Sequence, residues 1–210
     1  MKKQIYTGLM SAATVVFLAG CGDEENEEQN NEAEEAPVDG TENNNDEDAL
    51  VAHMENTDGE TLGNVVFEED EDDRTHVKAE IEDMEEGFHG FHLHEEAVCD
   101  LDEEEPFESA GGHYNPDEEE HPEHAGDLPP LYANEDGTAS MSVSVDHFEP
   151  EQLIEEETAV IIHEDPDNLG HIPERYESEE SGDAGPDEET LDTGDAGDRF
   201  ACGVVEEEEE

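Results

Sequence analysis

The apolar residues of this sequence occur in short segments of strand length, and this pattern constrains its fold more than any other feature. Thr75–Ile81 and Met141–Val145 alternate between apolar and polar residues, and the apolar runs Val65–Phe67, Ala159–Ile162 and Ala201–Val205 are equally short. A period of two is typical of half-buried strands. Since no segment shows a sustained helical stripe, we predict an all-β fold, either an antiparallel sandwich or a barrel.

Two long stretches between these segments have no strand pattern. They extend over Glu95–Pro130 and Glu164–Asp198. Irregular loops of this length inside a compact domain are usually either functional or disordered. We therefore expect the barrel to carry two long functional loops.

Acidic residues dominate the composition. The 210 residues include 68 Asp and Glu but only 6 Lys and Arg, so the formal net charge is −62. This charge excludes binding of nucleic acid or of an anionic membrane surface through a basic patch. High charge with few apolar residues is typical of disorder. A folded domain adapted to concentrated salt has the same composition, because the Debye length falls to about 3 Å at 1 M salt.

The N-terminus has the pattern of an export signal. Lys2 and Lys3 precede a mostly apolar stretch, Ile5–Leu18, which is of signal-peptide length and too short to span a bilayer comfortably. The residues Leu18–Cys21 resemble the lipobox of bacterial lipoproteins, and this resemblance implies that Cys21 carries a lipid. The alternative is an ordinary signal peptide followed by a chance cysteine.

We therefore expect four regions along the chain. Residues 1–20 form a lipoprotein signal peptide, 21–48 an acidic disordered tether, 49–205 the folded domain and 206–210 an acidic tail. The protein is expected to be exported and held at the extracytoplasmic face of the cell membrane by its lipid anchor alone. The sequence predicts no oligomeric state.

Six of the eleven histidines occur in an arrangement that indicates metal binding. His92 and His94 lie two residues apart on a strand-like segment, so their imidazoles project from one face and can chelate one metal. His163 follows an apolar run at the end of another strand. The first long loop adds three imidazoles and a carboxylate, a complete tetrahedral set for zinc: His113, His121, His124 and Asp127. The alternative, a set of unrelated surface histidines, does not account for the whole pattern.

The cysteines suggest one disulfide. If Cys21 is lipidated, Cys99 and Cys202 remain as a pair in an exported and oxidising setting. A disulfide between them is the simpler interpretation. Two free buried thiols are the alternative.

Five segments of the chain are distinctive when taken together: Gly87–Glu95, Ser109–Pro116, His124–Leu128, Val160–Glu164 and Gly194–Val205. In this order they resemble the copper/zinc superoxide dismutases in their bacterial exported form. The resemblance covers residues 51–205, nearly the whole predicted domain. It implies an eight-stranded Greek-key barrel, an immunoglobulin-like sandwich. It also implies dismutation of superoxide to O₂ and H₂O₂ by copper that cycles between Cu(II) and Cu(I).

The same resemblance implies two adjoining metal sites. The copper ligands would be His92, His94, His113 and His163. The zinc ligands would be His113, His121, His124 and Asp127, with the deprotonated imidazole of His113 bridging the two metals. Copper would perform the redox cycle, while zinc would hold the loop and orient His113. In the family, reduction breaks the bridge to copper, and the freed nitrogen of His113 becomes a proton source.

Three further roles follow from this resemblance. Asp167 would link His92 to His121 and fix the orientation of both rings. Arg199 would dock the superoxide anion beside the copper, although a surface arginine neutralised by a neighbouring aspartate is the alternative. The cysteine pair would match the family disulfide, which fixes the loop that carries the site to the barrel.

The sequence departs from the family pattern at two places. Only Pro122 and Glu123 separate His121 from His124, where the family usually has a longer insert, so we expect lower zinc affinity. The stretch 164–198 contains Arg175 but no lysine among many acids, whereas the family has a positive approach to copper. Because this charge should repel superoxide at low salt, we expect kcat/KM to stay flat or rise with added salt.

Two other functions are compatible with parts of the sequence. One is a non-catalytic, metal-binding member of the same fold, which the complete ligand set argues against. The other is an acidic, disordered metal sponge that would not unfold cooperatively. Five histidines match no ligand position; we expect His89 to be structural and the others to lie on strands or the surface, namely His53, His76, His147 and His171.

Overall fold

The structure of the chain, a computed structural model, describes residues 49–178, 182 and 184–208. The expected signal peptide, the lipidated Cys21 and the acidic tether lie outside the described residues, so these remain predictions. The described residues belong to one compact unit. They include no helix that is long and apolar enough to cross a membrane.

Strands make up most of the fold. They are β1 Leu50–Asn56, β2 Thr61–Glu69, β3 Thr75–Ile81, β4 Gly87–His89, β5 Phe91–His94, β6 Leu131–Ala133, β7 Ala139–Val145, β8 Ala159–His163 and β9 Arg199–Glu207. The connections contain two short helices, α1 Pro150–Glu155 and α2 Glu188–Thr193, and a 3-10 turn, Glu108–Ala110. The predicted all-β fold is therefore confirmed, with α2 in the second long stretch.

The strands form one antiparallel sheet that closes on itself. Their order is β4-β6-β7-β3-β2-β1-β9-β8-β5. The two edge strands, β4 and β5, are consecutive in the chain and are separated only by Gly90. The sheet therefore curls until its edges meet in one segment, and the result is a nearly closed barrel with Greek-key connections.

The barrel has nine strands where we expected eight, because Gly90 splits one strand in two. The Gly90 amide donates to the Asp165 carbonyl at 3.0 Å, and the His163 amide donates to the Gly90 carbonyl at 2.9 Å. Gly90 therefore pairs with the end of β8 and with the residues just beyond it. On one side of Gly90, β4 pairs with β6, and on the other side β5 pairs with β8. The split is a local change of partner within the predicted architecture.

The alternating segments build the core as predicted. In β3, Thr75, Val77, Ala79 and Ile81 are buried, and the residues between them face outward. Large side chains from several strands are completely buried with them, including Phe67, Phe91, Leu93, Leu131 and Ile162. Burial of apolar surface, at about 25 cal/mol per Å², offsets the entropy lost on folding. A packed core of this kind contradicts the interpretation of the chain as a disordered metal sponge.

A second, smaller apolar cluster fixes the first long loop to the barrel. Phe107 and Ala110 of the loop pack against Ile161 of β8 and Cys202 of β9. The disulfide between Cys99 and Cys202 lies beside this cluster, with a Cα–Cα distance of 5.7 Å. The predicted cysteine pairing is therefore confirmed. The loop is held by a covalent bond and by a buried aromatic ring.

Candidate metal centre

Four buried histidines converge where β5, β8 and the first long loop meet. His92 and His94 alternate with apolar core residues along β5, so both imidazoles lie on the face away from the core. His163 ends the neighbouring strand β8, and His113 joins β5 through an isolated bridge to His94. One candidate ligand atom from each histidine lies within 4.8 Å of the others.

Each of these rings has one buried nitrogen without a hydrogen-bond partner among the described residues. The atoms are His92 Nδ1, His94 Nε2, His113 Nε2 and His163 Nε2. Leaving a buried polar atom unpaired costs about 1–3 kcal/mol, so four such atoms at one place need an explanation. A cation bound among them would satisfy all four, and imidazole is a ligand that suits copper. The residues present therefore fit a copper ion.

Backbone carbonyls fix which nitrogen of two of these rings carries the proton. His94 Nδ1 lies 2.9 Å from the Gly111 carbonyl, and His163 Nδ1 lies 3.1 Å from the Gly197 carbonyl. Because a carbonyl oxygen only accepts, both rings must be protonated at Nδ1. Their Nε2 lone pairs are then free to bind a metal.

A second set of donors surrounds the carboxylate of Asp127. Its oxygens lie 2.8 Å from His113 Nδ1, 3.0 Å from His121 Nδ1 and 3.2 Å from His124 Nδ1. His113 and His124 approach each other to 3.4 Å between their Nδ1 atoms. Three imidazoles and one carboxylate are four donors of the kinds that zinc binds in its tetrahedral sites. The two-residue spacing between His121 and His124 still allows both rings to reach Asp127.

His92 also lies close to this second set, so its assignment needs an argument. The ligand atoms of His92, His113, His121 and Asp127 fall within 4.8 Å of one another. However, His92 Nε2 is bound to Asp167, and its free Nδ1 belongs to the first set. The position and orientation of the nitrogen atoms therefore favour His124 as the fourth donor around Asp127.

Asp167 connects the two sets of donors. One of its carboxylate oxygens lies 2.6 Å from His92 Nε2 and the other lies 2.8 Å from His121 Nε2. The Leu169 amide donates to the same carboxylate at 2.6 Å. The structure thus places this residue where the sequence predicted a link between a ligand of each metal.

The protonation of the rings prepares them for metal binding. Burial lowers the pKa of His113 to about 4 and that of His163 to about 3, and it lowers the pKa of His94 as well. These three rings are therefore neutral at pH 7, with lone pairs available. Although burial would lower the pKa of His121, hydrogen bonds to Asp127 and Asp167 raise it to about 9.

The carboxylate of Asp127 remains ionised throughout the physiological range. Burial would raise its pKa, but hydrogen bonds from His113, His121 and His124 hold the pKa of Asp127 well below its usual value. In the metal-free protein the proton on His121 balances part of this negative charge. A divalent cation at this place would displace that proton, since imidazole binds metals in its neutral form.

Arg199 lies next to the first set of histidines. Its Nη1 donates to the carbonyls of Phe107 and of Glu108, the latter at 3.2 Å, and its Nη2 donates to the Gly111 carbonyl at 2.6 Å. The Gly111 carbonyl also accepts from His94, so one backbone group joins the arginine to the histidines. Among the described residues, no aspartate forms an ion pair with Arg199, which contradicts the alternative of a neutralised surface arginine.

The remaining histidines lie apart from both donor sets. The ring nitrogens of His89 lie 2.8 Å from the His163 carbonyl and 2.9 Å from the Glu85 carbonyl, as expected for a structural residue. His53 and His76 bond to polar side chains of neighbouring strands, Asn64 and Ser142. The rings of the two others, His147 and His171, are not among the candidate metal ligands that the structure describes.

Sequence analysis missed the backbone groups that orient the ligands. Two glycine carbonyls fix the rings of His94 and His163, and any residue could supply a carbonyl, so no side-chain pattern identifies them. It also missed Gly194, which packs against Asp167 and His121 without room for a side chain. Gly194 is the first residue of the distinctive segment Gly194–Val205, but its contact with Asp167 and His121 depends on the fold and could not be found from the sequence.

Comparison with known proteins agrees with this geometry. The sequence model of the family described as copper/zinc superoxide dismutase (SODC) matches residues 61–205. The chain is 40% identical over 127 residues to the superoxide dismutase [Cu-Zn] of Mycobacterium tuberculosis, an alignment that covers 57% of this chain and 53% of that protein. The chain therefore spans about half the length of this relative.

Relatives of more similar length agree as well. The chain is 35% identical over 158 residues to the superoxide dismutase [Cu-Zn] of Brucella abortus, covering 70% of this chain and 80% of that protein. The solved structure of the Cu/Zn superoxide dismutase from Brucella abortus superposes with a TM-score of 0.55 at 31% identity, covering 75% of this chain and 99% of that one. With the two donor sets, these matches support copper and zinc as the metals. The chain belongs to the copper/zinc superoxide dismutase family.

Proposed function

We propose that this protein is a superoxide dismutase that converts two superoxide anions and two protons into O₂ and H₂O₂. The observation that carries the proposal is the group of four unpaired, buried imidazole nitrogens beside Arg199. His92, His94, His113 and His163 would hold copper. His113, His121, His124 and Asp127 would hold zinc, and His113 would be shared between the two metals.

The metals and the protein contribute different parts of the chemistry. Bound copper supplies a one-electron redox couple, whereas zinc supplies a fixed positive charge without redox chemistry. His113 would hold a proton at Nε2 between the two half-reactions and pass it to the peroxide that leaves. Its other nitrogen, Nδ1, lies 2.8 Å from Asp127 in this structure, and zinc would hold both groups.

Arg199 would bind the substrate anion. Three of its five N–H groups are used by carbonyls of the first long loop, and its Nε–H and one Nη2–H have no acceptor among the described residues. These two N–H groups are available to a small anion. Because the carbonyls already hold the guanidinium in place, the arginine side chain loses little further conformational freedom when the anion binds.

The test is dismutation by protein loaded with copper and zinc in molar salt, compared with His163→Ala and with His171→Ala as a matched control. We expect the first variant to lose nearly all activity and about one equivalent of copper, since it removes one of four donors. The His171→Ala variant should keep both metals and the activity. Equal activity in the two variants would contradict the proposed ligand set.

The second candidate is a non-catalytic member of the family that binds the metals without turnover. Nothing in the donor sets favours it, because the four copper ligands lie together and Asp127 is within 3.2 Å of the three histidines of the zinc set. It predicts full copper and zinc occupancy with no dismutation. The same experiment therefore separates the two functions.

We also propose that the protein is exported and anchored by a lipid on Cys21. Support comes from the apolar N-terminal stretch and the Leu18–Cys21 pattern. Cells that express the chain and are fed a labelled fatty acid should incorporate the label into the membrane-bound protein, and Cys21→Ser should abolish it. An unlabelled, secreted wild-type protein would show an ordinary signal peptide instead.

A further inference from the structure

Three carboxylates of the first long loop belong to the segment whose backbone carbonyls bind Arg199, the arginine that is proposed to receive the substrate. We propose that Glu103, Glu105 and Glu108, here called the acidic turn, limit the affinity of Arg199 for anions and thereby the rate at which superoxide reaches the copper site. This inference rests on the proposed function. It identifies the three glutamates of the acidic turn as the residues whose charge opposes the association of superoxide with the protein.

The acidic turn and Arg199 belong to one hydrogen-bonded unit. Arg199 donates to the carbonyl of Glu108 itself, at 3.2 Å. The carboxylate of Glu103 accepts from the Ser109 amide at 3.0 Å, inside the same 3-10 turn. The negative charges are therefore carried by the same segment whose backbone carbonyls accept hydrogen bonds from Arg199.

The backbone of the loop that carries these charges is fixed to the barrel. Phe107, between Glu105 and Glu108, is almost completely buried and packs against β8 and β9. The disulfide from Cys99 to Cys202 ties the beginning of the loop to β9. The backbone that carries these carboxylates therefore keeps its position beside Arg199 when an anion approaches.

These carboxylates act on the charge of Arg199 without contact. No ion pair within 4.0 Å joins Arg199 to a carboxylate in the part of the chain that the structure describes. Burial nevertheless lowers the pKa of Arg199, and Glu108, Glu103 and Glu105 act against that change. A field that favours the positive guanidinium necessarily disfavours a negative ion beside it.

The second long loop, where the sequence analysis placed the repulsion, uses several acids for its own structure. Asp167 binds the two histidines, and Asp187 caps α2 through the Thr190 amide at 3.0 Å. Asp195 accepts from Asn168 and from the Thr190 hydroxyl. The carboxylates that oppose the change in the pKa of Arg199 include Glu103, Glu105 and Glu108 of the first loop.

The experiment compares two triple variants of equal charge change, each loaded with copper and zinc. Glu103, Glu105 and Glu108 are changed to Gln in the test variant, which keeps an oxygen for the Ser109 amide. The control carries Gln at three exposed acids on β3 and the turns beyond it, Glu80, Glu82 and Glu135. Strand β3 is three places from β9 in the sheet.

Two readouts are taken at about 0.1 M and about 1 M salt, where the Debye length is about 10 Å and about 3 Å. One is kcat/KM for superoxide. The other is the dissociation constant of azide, a small anion, followed by the visible spectrum of the copper(II) protein. At 0.1 M salt the test variant should gain about 10-fold in kcat/KM and bind azide more tightly by a similar factor. The control should stay within about 2-fold of the unmodified protein, and the gain should nearly vanish at 1 M salt.

Other outcomes are equally informative. Equal azide affinity in the two variants would overturn the inference. So would a gain that persists unchanged at 1 M salt, because it would indicate a change in contacts rather than in the field. If no variant dismutates superoxide, the proposed function fails, yet azide binding still shows whether the acidic turn weakens anion binding.

Discussion

At the scale of single residues, the centre depends on a glycine that leaves no room for another atom. A Cβ on Gly194 would lie 2.3 Å from a carboxylate oxygen of Asp167 and 2.5 Å from His121 Nε2. Real Cβ contacts are never this short, so a side chain here must push the two groups apart. The hydrogen bond between Asp167 and His121 would then break, and one of the links between the two donor sets would be lost.

We therefore expect Gly194→Ala to weaken zinc binding by about 10- to 100-fold, the usual cost of removing a group that orients a ligand. Gly182→Ala is the matched control, because it has a similar positive φ of 74° against 64° at Gly194, but a Cβ there meets no described atom within 4 Å. Zinc affinity is measured by competition with a chelator. If both variants lose affinity equally, the left-handed backbone and not the crowding is responsible.

At the scale of secondary-structure elements, the alternation of apolar and polar residues made the strands predictable. It gave no prediction for the path of the loops. The pattern of β3 identifies its buried face correctly, and the spacing of His92 and His94 places both rings on one side of β5. The break at Gly90 was not predictable, because it depends on pairing with residues 163 and 165, which are distant in sequence. The local pattern of apolar residues therefore predicts the strands well, but it does not predict where a strand changes its pairing partner.

The loops follow the same rule. Donor types and spacing indicated the metal sites, since histidine and aspartate bind metals wherever the fold brings them together. The path of the first loop, however, is set by three unlike contacts: the Cys99–Cys202 bond, the buried Phe107 ring and the carbonyls that Arg199 holds. Of these three contacts, only the disulfide could be predicted from the sequence. The neighbours of Arg199 could be identified only in the structure.

At the scale of the whole molecule, a small apolar core supports an exceptional negative charge. The chain carries a formal charge of −62, while its core is an ordinary one of buried aliphatic and aromatic residues. Repulsion among exposed carboxylates destabilises the compact state and is screened by salt. Composition alone suggested disorder, because it counts the few apolar residues but does not show that the fold brings them together in a core.

We expect the free energy of unfolding of the metal-free protein to rise steadily between about 0.1 M and about 2 M potassium chloride at pH 7. The measurement is urea denaturation followed by circular dichroism. At a pH near 4.3, where glutamate is about half protonated, the salt dependence should shrink. An unfolding midpoint that does not change with salt at pH 7 would mean that charge repulsion is unimportant to this fold.

The central claim, that the shared histidine centre dismutates superoxide, is tested most directly by titrating copper into protein already loaded with zinc. The optical decay of superoxide is measured in molar salt after each addition. We predict no activity with zinc alone, since zinc has no redox chemistry. Activity should then rise linearly and level off at one copper per chain. A titration that produces no activity, or that levels off at another ratio, would contradict the account.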